Sequence, residues 1–246
     1  SAPCGVPVTF IVEATGGTNV ARGMFPVAVG LTALYRDDFE DEGGWMVNPD
    51  GTDTATSGGF VRIVPMAEGT RAPIDATRDG RYAFLADVGE SQDPPDEVDD
   101  TSTLVSPAYN LTNQSEAVLR FSHWVYAADY MLRDVSEEDD LLVEASADDG
   151  ATWVEVAQLW DQTLTWKRHE VRLEDYLDPS DAMRLRFTAR DRGPDNTVEV
   201  ALDDVEILVP TPACGGSIIE PPPPPPDDGC GCAIGAGPAS RIVPLT

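Results

Sequence analysis

The sequence predicts an all-β protein whose main domain is an antiparallel two-sheet jelly-roll sandwich. About ten short segments alternate apolar and polar residues at regular spacing, which is typical of such a sandwich. No stretch of about ten residues has a convincing helical period. We divide the chain into a short N-terminal β piece (1–32), the main domain (33–210), an extended proline-rich linker (211–228) and a cysteine-containing tail (229–246).

The N-terminal piece contains one predicted pair of strands. Apolar residues recur at every second position from Val6 to Val12, Gly16-Gly17 marks a turn, and a second apolar run follows at 24–29. Two strands are only marginally stable on their own. This piece therefore either packs on the main domain or is the end of an upstream immunoglobulin-like domain, and we favour the second interpretation.

The predicted last strand of the main domain contains two adjacent carboxylates. Apolar residues fall on even numbers from Val198 to Leu202 and on odd numbers from Val205 to Val209, so the alternation slips by one at Asp203-Asp204. Because strand side chains alternate faces, one face stays buried across such a slip only if an extra residue is inserted. We therefore predict a β-bulge at this pair.

A second acidic motif lies at the start of the main domain. We predict a strand in which Asp38 and Glu40 share one face while Phe39 points into the core. If the first and last strands are neighbours, these carboxylates converge with Asp203 and Asp204. Several carboxylate oxygens from converging segments suit Ca²⁺, so the four residues are a predicted structural calcium site.

The acidic composition suits a cation but does not require one. The chain has 44 Asp and Glu against 16 Lys and Arg, a net charge of −28. Such a charge argues against nucleic acid or an anionic membrane as a partner. Without a cation, we expect Asp203 to accept hydrogen bonds from turn amides and Asp204 to pair with an arginine such as Arg36.

Residues 141–159 are predicted to form a β-hairpin. Two alternating runs flank an Asp-Gly pair, which is a strong hairpin signal. Ser146, Asp148, Gly150, Thr152 and Trp153 match the pattern S-x-D-x-G-x-T-W. This hairpin resembles the Asp-box of sialidases, and the resemblance implies a structural turn in which Asp148 caps the amides and Trp153 folds over the chain.

Three arginines share the outer face of a later strand. Arg184, Arg186 and Arg190 alternate with apolar residues. They are predicted either to pair across strands with Glu170 and Glu174 or to line a groove for an anionic ligand.

The usual sequence signatures of an enzyme are absent. The chain contains no H-E-x-x-H, no G-x-S-x-G and no phosphate-binding glycine loop. His123 and His169 lie on apolar strand faces and are expected to be core histidines. We therefore expect a noncatalytic module, with a carbohydrate-binding jelly roll as the main alternative and a glycosidase using a pair of carboxylates as the third.

The exposure of the tryptophans would distinguish a carbohydrate-binding jelly roll from a module that does not bind sugars. A sugar-binding platform needs exposed, coplanar aromatic rings, whereas a sandwich core buries them. The residues concerned are Trp45, Trp124, Trp153, Trp160 and Trp166.

The cysteines lie outside the span 39–209, which is typical of an exported protein with covalently joined ends. We predict a disulfide between Cys4 and Cys214, because the ends of a sandwich are often close and closing so long a loop stabilises a fold. Cys230 and Cys232 are too close in sequence for a usual zinc site.

Several short motifs occur in a fixed order along the main domain. They are Asp37-Asp38-Phe39-Glu40, Gly44-Trp45, Gly80-Arg81-Tyr82, Ser102 to Pro107, Leu119-Arg120-Phe121, Trp166 and Val200 to Val205. In this order they resemble the MAM family of extracellular jelly-roll modules, and the MAM-like modules that follow the catalytic domain of exported bacterial metallopeptidases. The family's internal cysteines are absent here. The resemblance implies a secreted or outer-surface location in a Gram-negative bacterium, a protein or glycan ligand, and a role accessory to a hydrolase.

The tail carries a separate resemblance. Six prolines, Pro221 to Pro226, predict an extended polyproline segment, and Asp227-Asp228 and Cys230-Gly231-Cys232 follow it. This order is similar to the start of the MYXO-CTERM sorting signal, which implies Cys230 or Cys232 as an anchoring residue. The alternative is an ordinary cysteine pair. No run of about 18 apolar residues predicts a membrane span, and we expect a monomeric module.

Overall fold

The computed structural model describes residues 7–16, 19–28, 30–66, 72, 74–86, 98, 100–129, 139–160, 165–192 and 196–211. These residues form thirteen β-strands and one short 3₁₀ turn, Leu173–Asp175. The strands are β1 (Pro7–Gly16), β2 (Asn19–Ala28), β3 (Leu31–Asp37), β4 (Met46–Val47), β5 (Phe60–Ile63), β6 (Ala83–Ala86), β7 (Asp100–Val105), β8 (Val118–Asp129), β9 (Asp140–Ser146), β10 (Val154–Leu159), β11 (Lys167–Arg172), β12 (Arg184–Asp191) and β13 (Asn196–Pro210).

The strands from β3 onward form two antiparallel sheets, which confirms the predicted all-β sandwich. The five-stranded sheet has the order β10-β9-β12-β7-β4, and the six-stranded sheet has the order β11-β8-β13-β6-β5 with β3 also on β13. The first two strands pair with each other, from Pro7↔Ala28 to Gly16↔Asn19, and with no other strand of the described residues. Whether this pair belongs to an upstream domain stays a prediction.

The last strand organises the six-stranded sheet. One edge of β13 pairs with β8 along most of its length, and β6 and β3 follow one another along the opposite edge. Val205 lies opposite Asp37 and Pro210 opposite Leu31, so the first and last strands of the sandwich are neighbours, as predicted.

The core lies between the two sheets, and its largest contributions are alternate residues of β8, β9, β12 and β13. Phe121 of β8 meets Phe187 of β12 edge to face at 5.2 Å, which ties one sheet to the other. Both rings are fully buried, and removing such a side chain from water stabilises the fold by about 1.5–3 kcal/mol. In β13 the buried core residues change from even to odd numbers, as predicted; they are Val198, Val200, Leu202, Val205, Ile207 and Val209.

The bulge in β13 is confirmed. The pairing of β13 with β8 shifts register between Asp203 and Glu206, and Asp204 has a left-handed backbone (φ 49°). Aspartate tolerates this conformation better than most residues because its short side chain bonds locally. The Asp204 N–H donates to Oδ1 of Asp203 (2.7 Å), which closes the bulge.

The prediction that Asp38 and Glu40 share one face of a strand is wrong. The third strand ends at Asp37, and Phe39 has a left-handed backbone (φ 57°). Local hydrogen bonds explain the bend, because Oδ1 of Asp37 accepts the Phe39 N–H (3.0 Å) and the Arg62 guanidinium donates to the carbonyls of Phe39 and Glu40. Phe39 is nevertheless fully buried in the core, as predicted.

Candidate functional site

Three carboxylates meet at the bulge, and we call Asp75, Asp203 and Asp204 the bulge carboxylates. Oδ2 of Asp203 accepts the N–H groups of Ala76 (3.0 Å) and Thr77 (3.2 Å). The Asp75 carboxyl group lies beside that of Asp203, close enough for each to shift the pKa of the other. Asp75, a loop residue more than a hundred positions earlier in the chain, therefore lies against the last strand.

Asp204 is held by neutral and charged donors. Oδ1 accepts the Thr77 hydroxyl (2.7 Å) and lies 3.6 Å from the Arg36 guanidinium, and Oδ2 accepts the Ser122 hydroxyl (3.4 Å). Asp203 on turn amides and Asp204 beside Arg36 are the contacts expected in the absence of a cation.

The electrostatics of the bulge carboxylates are unfavourable for two negative charges. Burial, followed by the neighbouring Asp75, raises the pKa of Asp203 to about 8. Burial also raises the pKa of Asp75, whose buried Oδ2 makes no hydrogen bond within the described residues. At neutral pH this pair therefore holds a proton or requires a nearby positive charge.

The other two predicted ligands lie at the bend after β3. Glu40 accepts the N–H groups of Arg81 (2.6 Å) and Tyr82 (2.9 Å), and these bonds lower its pKa. Glu40 is close enough for its charge to raise the pKa of Asp75. Oδ1 of Asp38 accepts the Glu40 N–H at 3.4 Å.

The structure brings Asp203 and Asp204 together and adds Asp75, which the sequence analysis missed. In the described part of the chain, no group of three or more His, Cys, Asp or Glu side chains has an arrangement that could hold a metal ion. The calcium site at Asp38, Glu40, Asp203 and Asp204 stays a prediction. Buried carboxylate oxygens with raised pKa values are favoured in the charged form only beside a positive charge, and a hard, oxygen-seeking cation would supply one.

Cys4, Cys214, Cys230 and Cys232 all lie outside the described residues, so the predicted disulfide and anchor stay predictions. Within the described ranges, no helix has the length and hydropathy needed to cross a bilayer.

The hairpin between β9 and β10 has the predicted Asp-box contacts. The Gly150 N–H donates to Oγ of Ser146 (2.8 Å), and Asp148 accepts both the N–H (2.8 Å) and the hydroxyl (2.7 Å) of Thr152. Bonds from Thr152 and Ser146 lower the pKa of Asp148. Trp153 folds back over the turn, since a Cβ on Gly150 would lie 3.3 Å from its Cζ2.

The arginines of β12 pair with a different strand from the one expected. Arg184, Arg186 and Arg190 each contact a carboxylate at 2.6 Å. Their partners are Asp149, Glu144 and Asp140. Glu170 and Glu174 instead contact Arg120 and Arg172, because β11 belongs to the six-stranded sheet.

A groove lies on the outer face of the five-stranded sheet, and we call it the sheet groove. It has a volume of about 250 Å³. Its lining includes Met46, Asp50, Thr103, Trp153, Arg184 and Arg186. The Arg186 guanidinium lies over the Trp153 ring, 4.4 Å from its centroid.

The tryptophans do not share one role. Trp45 and Trp124 pack against the apolar clusters, and Trp166 meets Trp124 edge-on (6.3 Å, 71°) and donates to the Ile74 carbonyl. Trp153 lines the sheet groove and Trp160 is 52% exposed.

His123 is a core residue, as expected, whereas His169 is only partly buried. His123 is buried on β8 and His169 is half-buried on β11, with ring centroids 6.1 Å apart. Both rings contact Phe121, and burial lowers the pKa of His169.

No family model matches the sequence, and no curated protein matches it. Among solved structures, the chain is similar to the K3 cleaved adhesin domain of Lys-gingipain from Porphyromonas gingivalis, with 18% identity and a TM-score of 0.46 over 73% of this chain and 99% of that one. It is also similar to a carbohydrate-binding module of the β-sandwich superfamily, with 12% identity and a TM-score of 0.41 over 82% of this chain and 74% of that one. Likenesses this distant carry no information about a ligand.

Proposed function

We propose that this chain is a noncatalytic, cation-stabilised β-sandwich binding module of a secreted or surface-tethered bacterial protein. The observation that carries the cation is the pairing of the fully buried Asp203 with Asp75, whose buried Oδ2 makes no hydrogen bond within the described residues. The resemblance to MAM-like modules supports an accessory role beside a hydrolase such as a metallopeptidase.

The cation would be held by residues from three separate segments. Asp203 and Asp204 come from the bulge, Asp75 from the loop before β6, and Glu40 from the bend after β3. Hard cations such as Ca²⁺ favour six to eight oxygens from converging segments. Asp38, beside Glu40, is the remaining ligand of the calcium site predicted from the sequence. Bound there, the ion would neutralise the repulsion and join the first and last strands through the loop.

Thermal melting in excess Ca²⁺ and in EDTA tests the cation. A ligand at 100 times its dissociation constant stabilises a fold by about 2.7 kcal/mol, so the wild-type midpoint should rise in Ca²⁺. Asp203→Asn should abolish the shift. Asp79→Asn is the matched control, because Asp79 lies in the same loop with a side chain that is 92% exposed. Identical midpoints in the two buffers would exclude the site.

Surface tethering through the tail is a separate part of the proposal. The run Pro221 to Pro226 would hold the sandwich away from an anchor at Cys230 or Cys232. Mass spectrometry of the native protein should find one of these cysteines modified, and non-reducing peptide mapping should find Cys4 joined to Cys214. A free Cys4 peptide, or one linked to the tail, would contradict the pairing.

A carbohydrate-binding module is the second candidate function. The sheet groove favours it, because Trp153 lies there beside polar side chains instead of in the core.

A further inference from the structure

We propose that the sheet groove binds a neutral polysaccharide chain; this inference rests on the proposed function as a noncatalytic binding module. The groove crosses the strands instead of following one of them. Met46 comes from β4, Thr103 from β7, Arg184 and Arg186 from β12, and Trp153 from the end of the β9–β10 turn. From β4 to β9 there are three inter-strand spacings, a span of about 14 Å. An extended ligand can therefore lie across the sheet.

The groove offers hydrogen-bond donors that the described residues leave available. Arg184 uses Nε for Asp149 and Nη1 for the Ser106 carbonyl, and Arg186 uses Nε for Glu144. Within the described residues, Nη2 of Arg184 makes no hydrogen bond, and neither does either Nη group of Arg186. A guanidinium has five N–H donors and no acceptor, so these groups suit a ligand rich in oxygen.

The groove also offers acceptors and apolar surface. Asp50 accepts the backbone N–H (3.2 Å) and hydroxyl (2.7 Å) of Thr52 through Oδ1, which leaves Oδ2 to accept from a ligand. Trp153 and Met46 present apolar surface beside these polar groups. Sugar hydroxyls both donate and accept, and a sugar ring has apolar C–H faces, so a glycan matches this mixture.

The local charge favours a neutral glycan over an acidic one. The two arginines are outnumbered by three nearby carboxylates, those of Asp50, Glu144 and Asp149. The protein as a whole has a net charge of −28. An acidic polymer would meet this repulsion without excess positive charge in the groove to offset it.

The lining is also held in position before a ligand binds. Arg186 is fixed between Glu144, at 2.6 Å, and the Trp153 ring, and the Asp148 bonds fix the turn that carries Trp153. A site that is ordered in the free protein loses less conformational entropy on binding.

Affinity gel electrophoresis tests the proposal with mixed-linkage β-glucan, xyloglucan, arabinoxylan and galactomannan as neutral probes. Polygalacturonate serves as the acidic comparison and gelatin as the peptide comparison. At least one neutral polymer should retard the wild-type protein. Trp153→Ala should weaken the retardation at least tenfold, whereas Trp160→Ala, at an exposed tryptophan outside the groove, should change it less than twofold.

A second pair of variants guards against misfolding of the hairpin. Met46 and Val47 are neighbours in β4 and are 40% and 42% exposed, but only Met46 lines the groove. Met46→Ala should weaken binding severalfold and Val47→Ala should not. Equal effects within this pair would overturn the proposal.

The other possible results of these experiments distinguish a failure of the glycan assignment from a failure of the proposed function. Retardation by no polymer, by polygalacturonate alone or by gelatin alone would overturn the neutral-glycan assignment and leave the calcium melts unaffected. The release of new reducing ends during incubation would contradict the noncatalytic function while leaving the groove as the glycan site.

Discussion

The bulge in β13 and the turn between β9 and β10 use the same hydrogen-bonding device with opposite electrostatic results. At the bulge, Asp203 accepts the N–H groups of Ala76 and Thr77. In the turn, Asp148 accepts the N–H and hydroxyl of Thr152. Yet the pKa of Asp203 is raised to about 8, whereas that of Asp148 is lowered.

The difference comes from burial and from the nearest charge. Asp203 is fully buried and faces Asp75, so desolvation and like-charge repulsion outweigh its amide bonds. Asp148 is exposed, so its hydrogen bonds lower its pKa without opposition from burial. The hairpin turn is therefore complete by itself, whereas the bulge needs a proton or a cation.

The largest expected loss of stability concerns Asp140, a carboxylate that is buried like Asp203 but paired with an arginine. Asp140 is fully buried and contacts Arg190 through two bonds of 2.6 and 2.7 Å. Arg190→Met would leave this charge without its cation, with the Gln158 amide still donating to it, and should destabilise the protein by about 3 kcal/mol in urea unfolding. The control, Arg172→Met, breaks a largely exposed pair with Glu174 and should cost less than about 1 kcal/mol. A small loss of stability for Arg190→Met would mean that a buried carboxylate without its cation costs little in this protein. Burial would then not explain the raised pKa of Asp203.

The next effect is a pH dependence that belongs to the bulge. Because folding raises the pKa of Asp203 from 3.8 to about 8, the folded protein binds more protons than the unfolded chain across this interval. In EDTA the free energy of unfolding should therefore fall, by on the order of a few kcal/mol, as the pH rises from 3.8 to about 8. Asp203→Asn should flatten this slope. In Ca²⁺ the fall should be smaller, because the ion replaces the proton.

Asp148 should show the opposite dependence. Its lowered pKa stabilises the fold above the ordinary aspartate range, and this stabilisation is lost as the pH falls through the folded-state pKa. Comparing Asp148→Asn with wild type at low pH measures this contribution. A wild-type stability that rises between pH 5 and 8 in EDTA would contradict the electrostatic difference between the two regions.

Local patterns in the sequence were sufficient for features that depend on nearby residues. The even-to-odd slip predicted the bulge at Asp203-Asp204, because keeping one face of β13 in the core requires an extra residue there. The S-x-D-x-G-x-T-W pattern predicted the Asp148 and Trp153 contacts, since all of them close within one turn.

Features that depend on distant contacts were missed. Asp75 lies in a loop without strand periodicity, so nothing local marks it as the partner of Asp203. The arginines of β12 were matched to Glu170 and Glu174 because alternation fixes which residues share a face but not which strand lies alongside. Asp38 and Glu40 were placed on a strand because the pattern does not show that Asp37 hydrogen bonds bend the chain at Phe39.

The smallest expected effect tests whether the hairpin turn and the Trp153 indole form one rigid unit. Gly150 has φ 90° and a Cβ there would lie 3.3 Å from Cζ2 of Trp153, whereas Gly51 has φ 69° and a Cβ there would meet nothing within 4 Å. Both glycines adopt a left-handed backbone that costs alanine about 1–2 kcal/mol. Gly51→Ala should show this cost alone, and Gly150→Ala should lose about 1 kcal/mol more, because the added methyl presses on the indole. Equal losses in urea unfolding would mean that Trp153 moves aside freely. In that case the indole would not be held in place before a ligand binds. The hydrogen bonds of the turn would then fix the backbone at Asp148 without fixing the Trp153 side chain.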